Sequence, residues 1–247
     1  MRDDRCNSQI TYQNHKDSKI RIFDRERNCL ASLDLTQGIA EAEIIPSSEK
    51  DLAVLFYVCD TENVTEARLA EWVKREIPQR RRSSGHMDPS HIAAGEMLYQ
   101  AMGKLGYSRE EVAADYIGQE GERPYFAHLP VDFSITHSHS LALLVLRRRK
   151  AGEGPEIGVD LETGILGRKI DPVRLAKRFF TENEGKSIAS SPSPMQDFMR
   201  IWVMKEAWMK REGIPLSRAF QVEVMEECVQ RIVLYIEGEG LLGVIVA

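Results

Sequence analysis

The chain alternates between short apolar runs of strand length and longer stretches with apolar side chains at helical spacing. Residues 51–58 form a continuous apolar run, which is typical of a strand buried on both faces. Residues 61–77 then follow a helical spacing, and a second helix is predicted over 91–105, with Asp88-Pro89 as its opening. Apolar strands and helices recur in both halves of the chain, without any repeat of the sequence itself.

The second half predicts a hairpin, several helices and a terminal strand meander. Residues 141–146 and 157–161 are apolar and are joined by a basic, glycine-containing turn, so we expect them to form an antiparallel hairpin. The longest helix is predicted over 195–211 and should end at Gly213. The remaining predicted elements are helices that begin near Ser108, Asp171 and Thr181, and strands over 19–23, 29–35, 220–224, 231–236 and 241–246.

Composition and charge narrow the class of protein. With 43% hydrophobic and 29% charged residues, the 247-residue chain is an ordinary globular sequence, long enough for one large domain or two smaller ones. Its net charge of −5 argues against broad nucleic-acid binding, so local basic groups must hold any anionic ligand. The four cysteines contain no C-x-x-C pair, and no apolar run approaches the roughly 18 residues of a membrane span. We therefore expect a cytoplasmic protein without membrane contact.

Two carboxylates interrupt the apolar strand pattern near residue 160. Asp160 and Glu162 alternate with Val159 and Leu161, so they share one face of the strand and stand roughly 7 Å apart. They repel each other unless something positive lies between them, and a hard divalent cation such as Mg²⁺ takes oxygen ligands of this kind. A solvated face of an edge strand is the alternative interpretation of this pair.

A third carboxylate lies on the longest predicted helix. Glu206 and Lys210 are four residues apart and share a face, where an ordinary intrahelical pair contributes a few tenths of a kcal/mol. Lys205 and Glu206 also lie at the edge of the apolar stripe, where an unpaired charge is costly. If Glu206 meets the two strand carboxylates, the three complete an oxygen-rich metal site, and the neighbouring lysines would neutralise a phosphate.

Five motifs of the chain resemble those of the 4′-phosphopantetheinyl transferases. Their order and spacing over about 90 residues are similar to the larger, pseudo-dimeric type, which activates surfactin-synthetase-like carrier domains. The motifs are G-E-R-P at 121–124, S-I-T-H-S at 134–138, G-V-D-L-E at 158–162, A-K-R-F-F-T-x-x-E at 176–184 and W-V-M-K-E-A-x-x-K at 202–210.

The resemblance implies a fold and a division of the chain. We expect an α/β (α+β) fold of two similar halves related by a pseudo-twofold axis, with coenzyme A bound between them. Residues 1–50 are then an N-terminal extension of uncertain structure, residues 51–150 the half that holds coenzyme A, and residues 151–247 the half for the metal and the carrier protein.

The same resemblance implies a reaction and its residues. The expected enzyme is a monomer that transfers the 4′-phosphopantetheine arm of coenzyme A to a serine of an apo acyl or peptidyl carrier protein, with 3′,5′-ADP as the second product. Mg²⁺, or alternatively Mn²⁺, is the implied metal. By motif position the metal ligands are Asp160, Glu162 and Glu206, the catalytic groups are Glu206, Lys210 and His137, and the coenzyme A contacts are Arg123, Thr136, His137, Lys205 and Lys210.

The N-terminal helix departs from the family pattern. Where the family usually has an arginine four residues before the helix glycine, this chain has His91 before Gly95. The resemblance then implies that His91 is the coenzyme A contact at this position, with a weaker grip on the 3′-phosphate. Arg80 and Arg81 belong to a run of three arginines and are candidates to share that role, although such a run is also a common solvated surface feature.

Two other functions use the same residues. A Mg²⁺-dependent phosphohydrolase would apply the three carboxylates to a nucleotide and release phosphate from coenzyme A or ATP without any carrier protein. A non-catalytic carrier-binding protein would keep the fold, but it would have no reason to keep three carboxylates close together. A product assay separates these alternatives from the transferase.

Overall fold

The computed structural model describes residues 19–23, 29–44, 54–78, 88–118, 122–149, 157–163, 169–224, 231–235 and 242–246. Among these residues, no helix combines the length and the apolar character needed to cross a membrane. The elements in chain order are β1 (Lys19–Phe23), β2 (Cys29–Asp34), β3 (Ile39–Ile44), β4 (Val54–Asp60), α1 (Glu66–Lys74), α2 (Pro89–Lys104), α3 (Arg109–Asp115), β5 (Tyr116–Ile117), β6 (Tyr125–Phe126), β7 (Val131–Ser138), β8 (Leu141–Arg148), β9 (Gly158–Glu162), α4 (Pro172–Phe179), α5 (Glu182–Ser190), α6 (Pro194–Glu212), α7 (Leu216–Ala219), β10 (Arg231–Tyr235) and β11 (Leu242–Val246).

Two antiparallel sheets form the framework, so the expected mixed α/β class is confirmed. The larger sheet has the strand order β2-β1-β10-β11-β9, and the smaller has the order β3-β4-β8-β7. Strands from residues 19–44 are shared between them, since β1 pairs with β10 and β3 pairs with β4. The division at residues 50 and 150 and the pseudo-twofold relation stay predictions.

The smaller sheet separates two hydrophobic cores. On β4, Phe56 and Val58 face the core that contains α4 to α6, while Tyr57 and Cys59 face the core under α2. All four side chains are buried, because alternate residues of a strand point to opposite faces and both faces are covered. The prediction of a strand buried on both faces is confirmed.

Local signals in the sequence place the helix ends well. Ser108 and Thr181 each form a capping box at the start of α3 and α5, with the side-chain and backbone bonds both present. Asp171 caps α4, and α6 ends at Gly213, whose φ of 63° is in the left-handed region that favours glycine. The predicted starts and stops of these helices are confirmed.

The predicted hairpin between residues 141–146 and 157–161 is wrong. β8 pairs with β7 through a two-residue turn and with β4 on its other side, whereas β9 pairs with β11 at the chain's end. The predicted terminal strands exist at β10 and β11, but residues 220–224 follow α7 without forming a strand.

The facing edges of the two sheets are joined by side chains of β7, at what we call the seam. Asp132, Ser134 and Ser138 each accept a backbone N–H of the β9 segment, from Ile157 (2.9 Å), Val159 (3.1 Å) and Thr163 (3.1 Å). These acceptors lie at alternate positions of β7, on the face that points toward β9. The edge of β9 is thus bonded without a neighbouring strand's backbone, and the position of its carboxylates depends on β7.

Candidate active site

Helix α6 lies directly on strand β9 because residue 158 is glycine. A Cβ atom at Gly158 would stand 1.9 Å from the carbonyl oxygen of Ala207 and 2.7 Å from the backbone nitrogen of Arg211. Only a residue without a side chain permits this approach. The close contact brings the outward face of β9 against the part of α6 that carries Glu206 and Lys210.

Asp160 is the centre of the resulting cluster. It is 3% exposed, and its Oδ1 accepts hydrogen bonds from the Lys210 ammonium (2.6 Å) and from the Thr136 hydroxyl (2.9 Å). Its Oδ2 is buried and has no hydrogen-bond partner among the described residues. One helix and two strands therefore meet at a single carboxylate, which keeps an unbonded oxygen.

The pKa of Glu206 is raised, and burial and the carboxylates of Asp160 and Glu162 all contribute to the rise. Its pKa is raised to about 7, mainly by burial and then by the negative charges of Asp160 and Glu162, against the lowering effects of Lys210 and of a hydrogen bond to Trp202. A group with such a pKa is near the ideal for accepting a proton at neutral pH. A raised pKa of this origin is also typical of functional sites.

The donor set fits a divalent ion in its chemistry. Asp160, Glu162 and Glu206 offer only carboxylate oxygens, which hard cations prefer, and the unbonded Oδ2 of Asp160 is a buried acceptor that such an ion would satisfy. In the described parts of the chain, however, no three His, Cys, Asp or Glu side chains converge closely enough to hold an ion as they stand. Lys210 instead supplies the positive charge at Asp160. The predicted metal ligand set therefore stays a prediction.

A second cluster contains two of the predicted coenzyme A residues. His137 on β7 and His91 in the first turn of α2 bring their Nε2 atoms within 2.7 Å, with the ring centroids 4.7 Å apart. Asp88, the cap of α2, lies near both rings; its pKa is lowered mainly by its bonds to Ser90 and further by the two histidines. His137 points to the opposite face of β7 from Thr136, so the pair lies across the strand from the Asp160 cluster.

Lys205 does not face either cluster. It is fully buried, and its ammonium pairs with Glu184 Oε2 at 2.7 Å and donates to the carbonyl of Val222 at 2.6 Å. The ammonium also lies 5.2 Å from the ring centre of Phe180. The ammonium of Lys205, which the motif predicted to contact a phosphate, therefore lies inside the protein. There it joins α6 to α5 and to the segment after α7.

Arg123 is likewise committed to the protein interior. Its Nη2 donates to Asp132 Oδ1 (2.6 Å) and to the carbonyls of Phe133 (3.1 Å) and Ile157 (2.9 Å). Burial raises the pKa of Asp132, and the Arg123 charge opposes that rise. This predicted nucleotide contact thus lies at the start of the seam, while Arg80 and Arg81 lie outside the described residues.

Sequence reasoning missed the residues that hold the cluster in place. Gly158 was visible as the first letter of a motif, but only the packing of α6 shows why it is glycine. The polar residues at 132, 134 and 136 alternate with the apolar residues at 131, 133 and 135, and this period of two was a readable signal of a polar strand face.

Comparisons with known proteins cover this part of the chain. Residues 156–241 match the family described as the 4′-phosphopantetheinyl transferase superfamily. The chain is 29% identical to the 4′-phosphopantetheinyl transferase ffp of Bacillus subtilis over 65% of this chain and 70% of that protein. It is 32% identical to the 4′-phosphopantetheinyl transferase HetI of Nostoc sp. over 55% of this chain and 58% of that protein.

A third relative, the 4′-phosphopantetheinyl transferase Sfp of Bacillus subtilis (strain 168), is 27% identical over 61% of this chain and 64% of its own length. HetI and Sfp are therefore each matched over less than two thirds of their length. The matched family region contains β9 and α6, the two elements that bring Asp160, Glu206 and Lys210 together. Over residues 156–241 the chain is therefore similar to the 4′-phosphopantetheinyl transferase superfamily.

Proposed function

We propose that this protein transfers the 4′-phosphopantetheine arm of coenzyme A to a serine of an apo acyl or peptidyl carrier protein. The observation that carries the proposal is the cluster of Asp160, Lys210 and Glu206 inside the region matched to the superfamily, with Thr136 of β7 bonded to Asp160. We place the reaction in the cytoplasm, because four cysteines without a C-x-x-C pair fit a reducing compartment.

The reaction makes one bond and breaks one bond at phosphorus. The serine oxygen bonds to the phosphorus that carries the pantetheine arm, the phosphorus–oxygen bond to 3′,5′-ADP breaks, and the serine proton goes to the Glu206 carboxylate. Most of the catalytic effect must come from positioning and from neutralising charge. Lys210 serves the second purpose, because its ammonium already lies 2.6 Å from the Asp160 carboxylate and is partly exposed.

Asp160, Glu162 and Glu206 would hold the divalent ion, for which we propose Mg²⁺. When bound, the ion would neutralise the diphosphate and the leaving 3′,5′-ADP. Thr136 donates to the same Asp160 oxygen as Lys210, so the carboxylate's position does not depend on Lys210 alone.

The histidine pair is the proposed contact for the phosphates of coenzyme A. With their Nε2 atoms 2.7 Å apart, His91 and His137 share one proton at that contact, since two N–H groups would collide there. An anion that separated the two rings would accept a hydrogen bond from the Nε2–H of each. Lys205 and Arg123 take no part in this assignment, because their charges are used inside the protein.

Helix α4 and the start of α5 are the proposed contact for an acidic carrier protein. Arg174, Lys177 and Arg178 are exposed on α4, and Lys186 is exposed on α5. A chain with a net charge of −5 needs such a local basic surface to attract an acidic partner. Phe180 is 7% exposed and packs in the core, so the apolar part of this contact falls to the half-buried Phe179.

Incubation with coenzyme A, MgCl₂ and a panel of apo carrier proteins tests the proposal, with intact mass as the measurement. The expected result is a gain of one phosphopantetheine arm on at least one carrier, together with free 3′,5′-ADP. Release of 3′,5′-ADP without a mass gain would identify a hydrolase instead. No product with any carrier, from a protein that binds coenzyme A, would overturn the transferase proposal.

A further inference from the structure

The turn between β7 and β8 contains an unusual backbone conformation beside the candidate site. His139 has a φ of 53°, and among the described residues it is the only non-glycine with a positive φ. The first position of a two-residue hairpin turn with positive φ is one where glycine is ordinarily favoured. A strained non-glycine residue next to a cluster of carboxylates is a reason to ask what its side chain does.

The side chain of His139 connects to Glu162 through two hydroxyl groups. Its Nδ1 lies 2.8 Å from the Thr163 hydroxyl, which lies 3.1 Å from the Ser138 hydroxyl. The Ser138 hydroxyl in turn lies 3.4 Å from Glu162 Oε2 and also accepts the backbone N–H of Thr163 at 3.1 Å. An imidazole, two hydroxyls and a carboxylate thus form one continuous row.

The direction of the hydrogen bonds follows from the carboxylate at the end of the row. An ionised carboxylate only accepts, so the Ser138 hydroxyl donates to Glu162. With its own hydrogen on Glu162, the Ser138 hydroxyl can accept from the Thr163 hydroxyl, and the tautomer of His139 that carries its hydrogen on Nδ1 then donates to Thr163. In this arrangement each hydroxyl donates once, and every bond points toward Glu162.

We propose that His139 is a positioning residue that holds Glu162 in place through Thr163 and Ser138. The inference rests on the proposed function for the importance of Glu162, but the row itself is independent of that function. Outer partners of metal-binding side chains orient them, and their loss typically weakens metal affinity or activity by about 10- to 100-fold. The left-handed backbone at residue 139 is retained because it directs the imidazole at Thr163.

The test compares His139→Gly with His139→Asn and with Ser140→Ala as the matched control in the same turn. Glycine removes both the strain and the imidazole, so the melting temperature of the metal-free protein should rise by about 2–4 °C. Its affinity for Mn²⁺ alone, measured by calorimetry without coenzyme A or carrier, should fall by roughly 10-fold, with a similar fall in kcat and an unchanged KM for coenzyme A. Asparagine tolerates left-handed backbone and can donate to Thr163, so it should restore most of the Mn²⁺ affinity.

The outcomes separate this inference from the proposed function. If His139→Gly binds Mn²⁺ as the wild type does, or if His139→Asn loses as much affinity as His139→Gly, the positioning role is refuted. If the wild-type protein loads no carrier but His139→Gly still loses Mn²⁺ affinity while Ser140→Ala does not, the role of His139 stands and the transferase proposal fails.

Discussion

A single methyl group at residue 158 should disrupt the candidate site by pushing helix α6 away from strand β9. In Gly158→Ala the new Cβ would stand 1.9 Å from the Ala207 carbonyl oxygen, and the facing atoms belong to the backbone of α6. No side-chain rotation can relieve this contact, so the helix must move away from β9. Because an ordinary contact at such a position is 3.4 Å or more, the displacement is on the order of 1 Å.

The expected magnitudes follow from that displacement. Overpacking of this kind costs about 1–3 kcal/mol, which corresponds to a fall in melting temperature of roughly 2–12 °C for a chain of this size. Glu206 and Lys210 move with the helix while Asp160 stays on its strand. A misplacement of about 1 Å in a catalytic group can lower the rate by about 100-fold. We therefore expect a large fall in the loading rate even at temperatures where the variant is fully folded.

The assay is carrier loading at a temperature well below the melting point of the variant. Gly103→Ala is the matched control, because nothing lies within 4 Å of a Cβ at that position of α2. That change should raise stability by up to about 1 kcal/mol and leave the rate unchanged. If Gly158→Ala has the melting temperature and rate of the wild type, the close approach of α6 to β9 is not what assembles the site.

Four further results are expected. Asp160→Asn should lower kcat more than about 10-fold and change the melting temperature by only a few degrees, measured by carrier loading and thermal unfolding. The pKa of Glu206 is raised from 4.5 to about 7, so its protonated form contributes stability that is fully present below about pH 4.5 and is lost as the pH rises through 7. The metal-free wild type should therefore become less stable between these pH values in thermal unfolding, and Glu206→Gln should not. Lys205→Met should destabilise the fold by about 3–5 kcal/mol in urea, because it leaves the buried Glu184 unpaired, with little change in KM for coenzyme A. Reversing the charge of Lys177 and Lys186 together should raise KM for the carrier protein several-fold and leave KM for coenzyme A unchanged.

Local signals in the sequence were sufficient to predict the helix starts and the shared strand face of Asp160 and Glu162. The capping boxes at Ser108 and Thr181 involve residues three apart, so short spacing decides them. The sharing of a strand face by Asp160 and Glu162 follows from the period of two alone. None of these features depends on what another part of the chain does.

Strand pairing could not be predicted, because the decisive partners are distant in the chain. β9 pairs with β11 at the C-terminal end, and nothing near residue 160 indicates this. The true hairpin, between β7 and β8, turns at His139 and Ser140, without the glycine or asparagine that ordinarily marks such a turn. The glycine-containing segment after β8 carried the stronger turn signal and therefore attracted the wrong prediction.

The direction of the Lys205 side chain follows from the position of Glu206, the next residue of the same helix. Successive residues of a helix do not face each other, so Lys205 and Glu206 cannot serve the same site. With Glu206 toward β9, Lys205 must point elsewhere, and the structure shows it on Glu184 of α5. The sequence motif joins the two residues, but the fold assigns one to the candidate chemistry and the other to the packing of the helix that carries it.

The seam explains why the candidate site lies between the two sheets. β7 and β9 belong to different sheets, and in the described part of the chain no backbone ladder joins them. Because the strands are joined through side chains instead, Ser134 and Asp132 can hold the backbone of β9 while Thr136 reaches Asp160 itself. The histidine of the proposed coenzyme A contact and the threonine that fixes the carboxylate are then adjacent residues of one strand. A shift of β7 relative to β9 would therefore disturb both clusters together. The seam thus connects the Asp160 cluster to the histidine pair that we propose as the coenzyme A contact.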